Sequence, residues 1–545
     1  MANGILATDP NRVSFYEYEG KHKGILSWLL STDHKRIGLL YLISLLAFFA
    51  VGVTLGFLMR LEMISPGPTI MAPNTYNSVF TLHGVIMVFL FILPGLPAIF
   101  GNFFLPIQIG ARDVAFPRIN LLSWYLYLIG GVLAIVSLFT GGGIMDTGWT
   151  FYVPYSIRTT SNISLSVFAA FVLGFSSILT AVNFITTAHR MRAPGMTFFR
   201  MPLFVWALYS TAWIQLLATP ILGITLLLII AERMLGVGIF DPNLGGDPIL
   251  YQHMFWIYSH PAVYIMAIPA FGVVSEIIPT FSKKNIFGYT PVAISSLAIA
   301  FVGYLVWGHH MFSSGISDIS RLIFSLLTFL VAIPTGVKVF NWVATMYKGS
   351  ITVKTPMLFV LFFIVIFSIG GLTGLVLGAI NTDIHVTDTY FVVGHFHYVM
   401  FGSMGILLFA GLHYWFPKMF GRMYHEKMAQ VSAWIFFVGF NLLYFPMFIM
   451  GYLGMPRRYY DYLPEFTTYH VIATVGSWIM ITGMIIMFAN LIRSLYTGPK
   501  ATENPWGGTT LEWKIPSPPP LENFREIPVI TEGPYEHHFN KEENT

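Results

Sequence analysis

The chain has 545 residues, of which 55% are hydrophobic and only 10% are charged, and its formal net charge is +4. A soluble domain carries about 25% charged residues, so this composition excludes a soluble enzyme, a nucleic-acid-binding protein and a disordered chain, and favours an integral membrane protein. Cysteine is absent, which excludes disulfides, zinc–thiolate sites and iron–sulfur clusters on this chain.

Long hydrophobic segments predict twelve transmembrane helices. A spanning helix needs about 20 mostly apolar residues, and the strands of a membrane barrel are much shorter. Segments of helical length lie near 37–59, 76–104, 118–141, 163–188, 204–231, 252–280, 289–312, 321–346, 357–378, 389–416, 430–453 and 466–494. The sequence therefore predicts an all-α integral membrane protein with an N-terminal segment (1-36), a twelve-helix domain (37-496) and a Pro-rich extended tail (497-545).

Basic residues are concentrated in the N-terminal segment and in alternate loops, whereas the opposite loops are acidic or sparse in charge. Positively charged loops stay on the cytoplasmic side, so we expect both termini in the cytoplasm. Arg457 and Arg458 are the exception, because they form a basic pair on the outer side. This pair predicts an anionic partner there.

Six histidines lie at membrane depth, where ionisable groups are costly and commonly functional. They are His83, His260, His309, His310, His395 and His397. A single buried histidine is often just a hydrogen-bonded core residue, but six on four helices favour metal ligands. His395 and His397 are about 200° apart around a helix, so they face different cofactors. The adjacent His309 and His310 could share one metal if their helix is locally distorted.

The ligand types indicate two kinds of metal site. His260, His309 and His310 form a three-imidazole set that suits copper. His83 remains to pair with one of the two histidines of the tenth helix. A haem held by two imidazoles only carries electrons, whereas a haem held by one keeps an open position for a substrate.

Six motifs resemble one family closely. They are Leu82–Gly84, Ser259–Tyr264, Val306–Phe312, Pro334–Lys338, Gly394–Met400 and Met455–Tyr459. Through them the chain resembles subunit I of the haem–copper oxygen reductases, the cytochrome c oxidase family, over almost its whole length. The resemblance implies the catalytic subunit of a proton-pumping terminal oxidase of aerobic respiration, which reduces O2 to water with electrons from cytochrome c.

The resemblance also implies ligands for two haems, with haem A favoured, and for copper B. His83 and His397 would bind the low-spin haem and His395 the oxygen-binding haem. The copper would be held by the three-imidazole set, and Tyr264 would be linked covalently to His260. Tyrosine is commonly just a packing residue, but the place of Tyr264 one turn after His260, on the same helix face, favours a functional role. The haem propionates would be bound by Arg457, Arg458 and Trp149.

Two proton routes follow from the same resemblance. The D pathway would begin at Asp113, with Asn102 and Asn120, although a loop aspartate alone is usually just solvated. The K pathway would use Lys338 and Thr335 of the eighth helix and lead towards Tyr264. The alternative for Lys338 is a side chain that reaches back to the inner membrane surface. Two residues of the sixth helix join the K pathway, Ser275 and Glu276.

Two positions depart from the commonest family pattern. Ala262 stands where a glutamate usually follows His-Pro, and Tyr258-Ser259 precede His260 instead. This resembles a subset of the family in which a Tyr-Ser pair replaces the glutamate, so we expect the Tyr258 hydroxyl and Ser259 to relay protons. The second departure is Thr387 in place of a histidine before Asp388, which weakens the case for an outer Mg²⁺ or Mn²⁺ and leaves Asp388 as its one candidate ligand.

The expected partners are subunit II, which would carry copper A and dock cytochrome c, together with subunit III, O2 and membrane lipid. The expected location is the bacterial cytoplasmic (inner) membrane. Three alternatives stay open. A quinol could be the electron donor, and a nitric oxide reductase would share the six histidines but lack Tyr264 and the proton pathways. A transporter or channel would have no redox role, although the absence of an evident internal repeat weakens that reading.

Overall fold

A computed structural model describes residues 13–18, 21–140 and 143–537 of the chain. Twelve helices are long and apolar enough to span a membrane: α1 (His34–Glu62), α2 (Pro73–Gln108), α3 (Pro117–Val136), α4 (Ile163–Arg190), α5 (Leu203–Leu235), α6 (Pro248–Ser282), α7 (Tyr289–Met311), α8 (Asp318–Met346), α9 (Thr355–Gly378), α10 (Tyr390–Phe420), α11 (Glu426–Tyr452) and α12 (Pro464–Thr497). Within the described ranges, β-pairing is limited to isolated bridges. The predicted all-α fold with twelve spans is therefore confirmed, whereas the cytoplasmic position of the termini stays a prediction.

Three helices occupy the centre of the bundle. In the most apolar stretch of α6 94% of the residues are buried, and the values are 83% for α2 and 61% for α10, against 17% for α8. α6 contacts both α2 and α10, and it also packs against α5, α7, α8 and α9. The fold thus places the histidines of α2, α6 and α10 in the interior.

The bundle closes because α12 returns to pack against α1. α11 and α12 make the most extensive helix pair, and glycines bring their backbones together. A Cβ on Gly439 would lie 2.2 Å from the Met480 nitrogen, and a Cβ on Gly476 would lie 2.4 Å from the Leu443 nitrogen. Lipid tails are as apolar as side chains, so close backbone approach through small residues is a main source of helix association in membranes.

Several spanning helices are not regular along their length. α2 contains two π-helical stretches, Ile86–Ile92 and Pro97–Gly101, and α10 contains another, Met400–Gly405. α7 ends in a 3₁₀ turn, Trp307–Met311. Prolines in α2 remove backbone donors, and π stretches commonly occur at functional sites. Three of these four segments adjoin or contain histidines predicted as ligands, and Pro97–Gly101 is the exception.

The segment after α12 packs on one end of the bundle. Lys35 is fully buried, and its ammonium donates to the Asn523 side chain at 2.9 Å. Lys418 is also fully buried and donates to carbonyl oxygens of Glu503, Ile515 and Pro516. The described part of the tail is thereby held to the helices by buried cations.

Candidate functional site

A central cavity of about 1,100 Å³ lies between α1, α2 and the helices α6 to α12. All six predicted ligand histidines line it. Small-molecule sites commonly enclose about 300–1,000 Å³, so this cavity has room for more than one large group.

Two of the histidines, one on α2 and one on α10, are oriented by backbone carbonyls. His83 Nδ1 donates to the Gly52 oxygen at 2.8 Å, and His397 Nδ1 donates to the Val393 oxygen at 2.9 Å. A hydrogen bond from Nδ1 fixes the tautomer and leaves the Nε2 lone pair for a metal. The His397 ring also stacks on Tyr444, with ring centres 4.2 Å apart. These contacts suit two imidazoles that ligate one haem iron.

The other histidine of α10, His395, is oriented in the same way but towards α9. Its Nδ1 lies 3.1 Å from the Gly370 oxygen and 3.1 Å from Thr373 Oγ1. His397 instead faces Tyr444 of α11, so the two histidines of α10 point to different helices, as about 200° of helical rotation requires. The structure therefore separates the two ligand positions.

His260, His309 and His310 converge in the interior, and one nitrogen of each lies within 4.8 Å of the others. His260 Nδ1 is 3.1 Å from His310 Nε2, which is 3.2 Å from His309 Nε2. Tetrahedral ligands with bonds of about 2.0 Å are about 3.3 Å apart, so this spacing fits one metal ion. Thr328 orients His309 through a 2.8 Å hydrogen bond, and Trp256 stacks on His310. Three neutral imidazoles of this kind fit copper.

The imidazoles of the neighbouring His309 and His310 can approach each other because α7 changes from α-helix to a 3₁₀ turn before it reaches them. Regular helix ends at Gly303, and the 3₁₀ turn Trp307–Met311 carries both imidazoles. Gly303 also makes room for Tyr264, since a Cβ there would lie 2.5 Å from Tyr264 Cδ2. The Tyr264 ring centre is 4.8 Å from that of His260, and both side chains line the central cavity.

Tyr258 lies between the central cavity and a second, smaller one and lines both, as do Phe89 and Leu93. It is 4% exposed, and its hydroxyl makes no hydrogen bond to any described residue. Ser259 Oγ is buried and has no partner among those residues either. Ala262, one turn after Tyr258, lines the central cavity. Free hydroxyls at this position are available to water.

Two arginines of the loop between α11 and α12 line one end of the central cavity beside Trp149. Arg457 pairs with Asp388, Nη2 to Oδ1, at 2.9 Å, and Arg458 approaches Thr150 Oγ1 at 3.5 Å. Burial, with the adjacent Arg457 charge, lowers the pKa of Arg458 to about 10. A buried guanidinium is stabilised by an anionic group, so this end of the cavity suits carboxylates.

Among the described residues, Asp388 belongs to no group of three or more side chains that could hold a second metal. In the part of the chain that the structure describes, His260, His309 and His310 are the one group of three or more His, Asp or Glu side chains close enough to share an ion. The contact of Asp388 is the ion pair with Arg457.

Sequence reasoning missed Asp383 as a cavity residue. Asp383 is 6% exposed and lines the central cavity. Burial, and then the charge of Asp388, raises the pKa of Asp383 to about 7. An acidic residue between two spans reads as a solvated loop group, and no signal in its neighbours distinguishes it.

The three residues predicted at the D-pathway entrance lie near the C-terminal end of α2, in the loop that follows it and near the N-terminal end of α3. Asn102 Oδ1 and both polar side-chain atoms of Asn120 are buried without partners among the described residues. Such groups are typically satisfied by ordered water. Asp113 is half-buried, and burial, followed by the charge of Asp33, raises the pKa of Asp113 to about 8.

The predicted K-pathway residues do not all face one another. Lys338 is 2% exposed and so does not reach the membrane surface. Its ammonium donates to Ser296 Oγ at 2.7 Å and to the Val292 oxygen at 2.9 Å, both on α7. Thr335, one turn earlier, lines the central cavity.

The two α6 residues of that pathway have other contacts. Ser275 accepts a 3.0 Å hydrogen bond from Trp342 Nε1 of α8. Glu276 turns towards α5 and the tail, where it accepts hydrogen bonds from the Phe204 nitrogen and the Tyr535 hydroxyl.

Sequence comparison gives long matches. A family profile described as "Cytochrome C and Quinol oxidase polypeptide I" matches residues 36–492. The cytochrome c oxidase subunit 1 of Synechocystis sp. is 45% identical over 92% of this chain and 91% of its own length. The cytochrome c oxidase subunit 1 of Thermostichus vulcanus is 42% identical over 99% of this chain and 96% of its own length. A probable cytochrome c oxidase subunit 1-beta of Nocardia farcinica is 47% identical over 92% of this chain and 86% of its own length.

The fold is similar to that of a solved heme-copper terminal oxidase dimer, with a TM-score of 0.70 over 86% of this chain and 84% of that one, at 22% identity. At this identity the likeness supports the fold alone. The family profile and the long matches to curated relatives carry the assignment: the chain belongs to the cytochrome c and quinol oxidase polypeptide I family.

Proposed function

We propose that the chain is the catalytic subunit of a proton-pumping cytochrome c oxidase that reduces O2 to water. One observation carries the proposal: three imidazoles converge within 4.8 Å of one another beside Tyr264, in the cavity that also contains His395. Relatives at 42–47% identity bear the name cytochrome c oxidase subunit 1. Their length and coverage support the same activity here.

The donor set fits two haems and one copper ion. His83 and His397 would hold the low-spin haem, His395 the haem that binds O2, and the three-imidazole set copper B. Haem A is the favoured type. When bound, these groups would store the electrons and reduce O2.

The chain's own residues would supply protons and hold the cofactors in place. The Tyr264 hydroxyl would give a proton and an electron beside the copper ligands, and a covalent bond to His260 would fix its ring. Arg457, Arg458 and Trp149 would bind the haem carboxylates at the outer end of the cavity. The low pKa of Arg458 reflects a buried charge that such carboxylates would stabilise.

Protons would enter by two routes. In the D route Asp113 would collect protons, Asn102 and Asn120 would order water, and Tyr258 with Ser259 would take the place of the missing glutamate. With this pair the chain would belong to the Tyr-Ser subset of the family.

In the K route Lys338 would pass protons by way of Thr335 to Tyr264. Ser275 would lie along that route, and Glu276 would act at its inner end, where it contacts the tail.

The proposed complex contains subunit II, with copper A and the cytochrome c docking site, and subunit III. It lies in the bacterial cytoplasmic membrane with both termini inside. Asp388 is the candidate ligand of an outer Mg²⁺ or Mn²⁺, and its ion pair with Arg457 counts against that ion.

Spectra and turnover of the purified complex test the proposal. Pyridine-haem analysis should give two haems for each chain, metal analysis should find copper, and reduced cytochrome c should support O2 consumption. O2 consumption with a quinol but not with cytochrome c would establish the quinol oxidase that the family also includes. Nitric oxide reduction without O2 consumption would establish a nitric oxide reductase, and a haem-free protein would overturn the oxidase proposal.

A further inference from the structure

α5 carries a buried polar face that the ligand and pathway assignments leave without a role. Thr211, Gln215 and Thr219 are spaced by four residues, so they share one side of the helix. They are 1%, 5% and 1% exposed, respectively. One side-chain oxygen of each, Oγ1 or Oε1, has no hydrogen-bond partner among the described residues.

Other hydroxyls of the same helix behave differently. Ser210 donates to the Trp206 oxygen at 2.8 Å, and Thr225 donates to the Ile221 oxygen at 2.7 Å. This back-bonding to the preceding turn is the usual way in which a hydroxyl is satisfied inside a helix. Thr211 and Thr219 do not use it, and buried polar groups without protein partners are typically satisfied by water.

The small cavity gives that water a place. It has a volume of about 50 Å³ and is lined by Gln215 and Tyr258, with Ser176 and Thr180 of α4. A single water occupies about 10–15 Å³ by this measure, so the cavity has room for about three to five. The polar face of α5 borders α4 here, because a Cβ on Gly174 would lie 3.2 Å from the Thr219 methyl group.

Tyr258 joins this cavity to the central one, since its side chain lines both and its hydroxyl has no partner in the described ranges. We propose that Gln215 is a positioning residue for proton delivery. Its carboxamide orders the water of the small cavity so that a hydrogen-bonded chain reaches the Tyr258 hydroxyl, with Thr219 extending the polar face. This inference rests on the proposed relay role of Tyr258.

Turnover of three variants in the intact complex tests it. Gln215→Leu keeps an aliphatic side chain, shorter by one heavy atom, and removes both polar atoms. It should slow O2 reduction by about tenfold, which is below the roughly 10²–10⁴-fold contribution of a group that itself transfers the proton. Both haem spectra should be unchanged. Tyr258→Phe should slow turnover at least as much, and the double variant should be no slower than Tyr258→Phe alone.

Matched variants separate a proton effect from a packing effect. Thr225→Val removes a hydroxyl that is already satisfied within α5, and it should retain wild-type turnover. Gln215→Glu keeps the side-chain length and an acceptor oxygen, and it should recover most of the rate. Proton release from vesicles should fall with turnover in Gln215→Leu, and the solvent isotope effect in D2O should rise.

The outcomes distinguish this inference from the proposal on which it rests. Wild-type turnover in Tyr258→Phe would remove the relay itself. If Tyr258→Phe turns over slowly but Gln215→Leu turns over at the wild-type rate, the role of Gln215 alone is overturned. A double variant in which the two losses of rate multiply would have the same consequence. If Gln215→Leu fails to bind haem, Thr219→Val decides: slower turnover supports the water-ordering face, and wild-type turnover overturns it.

Discussion

The three imidazoles of α6 and α7 are supported by different contacts. Thr328 hydrogen bonds to His309, and Trp256 stacks on His310 with ring centres 3.7 Å apart, whereas His260 Nε2 has no partner among the described residues. Outer contacts of this kind orient metal ligands. His310 also lies between the other two, within 3.2 Å of a nitrogen of each.

Removing His310 should therefore eliminate copper and O2 reduction while sparing the low-spin haem. In His310→Ala we expect metal analysis to show loss of copper B and the low-spin haem spectrum to persist, because His83 and His397 lie on other helices. His253→Ala is the matched control. His253 accepts a hydrogen bond from Trp307 Nε1 and lies outside the three-imidazole set, so the copper content of this variant should be normal. Loss of both haem signals in His310→Ala would contradict the ligand assignment.

Asp113 should make thermal stability depend on pH. Burial raises the pKa of Asp113 to about 8 in the folded chain, against about 3.9 in an unfolded one. Between these values the folded state binds the extra proton, so stability falls as pH rises through this window and levels off above about pH 8. We expect the melting temperature of Asp113→Asn, relative to wild type, to increase from pH 5 to pH 8. A constant difference across this range would contradict the raised pKa.

Among the helices, the twelve spans follow from hydrophobic length alone, and the opposite directions of His395 and His397 follow from helical rotation. The meeting of His309 and His310 was anticipated only as a local distortion. Its form, a 3₁₀ turn, depends on how α7 packs beside α6, and no residue pattern specifies it. The direction of Glu276 could not be predicted for a similar reason, because its partners Phe204 and Tyr535 come from distant parts of the chain.

The contact between α11 and α12 gives a prediction about stability. In Gly439→Ala the added methyl would lie 2.2 Å from the Met480 nitrogen, so the two helices must separate. Overpacking of this kind costs about 1–3 kcal/mol, and the melting temperature followed by circular dichroism should fall. Gly223→Ala on α5 is the control, since its methyl would meet Phe171 at an ordinary 3.4 Å. Equal melting temperatures for the two variants would show that the helices tolerate the clash.

In the whole molecule, the tail completes the end of the bundle on which it lies. Sequence analysis treated the basic residues near the membrane as markers of orientation, yet Lys35 and Lys418 are both fully buried. The rule for topology uses the sign of a charge and contains no information about its partners. The acceptors lie about 85–490 positions away in the chain, so the sequence pattern did not connect them.

Deleting the chain after Glu503 should therefore destabilise the bundle. It would leave Lys418 without the carbonyl oxygens of Ile515 and Pro516, and an unpaired buried cation is costly. We expect the truncated complex to lose haem at a lower temperature than wild type. Lys418→Met in the truncated chain should restore part of the loss, because a neutral side chain of similar length has no donors to satisfy. If the substitution gives no recovery, the loss comes from elsewhere in the tail.

The π-helical stretches of α2 determine how the side-chain directions at one end of the helix are rotated, about the helix axis, relative to those at the other end. His83 lies before Ile86–Ile92 and Asn102 follows Pro97–Gly101, so the proposed haem ligand and the proposed water-ordering residue are joined through π-helical turns. Each residue of a regular helix advances the side-chain direction by about 100°. A one-residue deletion between them would therefore swing Asn102 away from its present face while His83 kept its own. The number of residues in this stretch would thus be part of the proposed coupling between electron and proton chemistry, although none of them carries a reactive group.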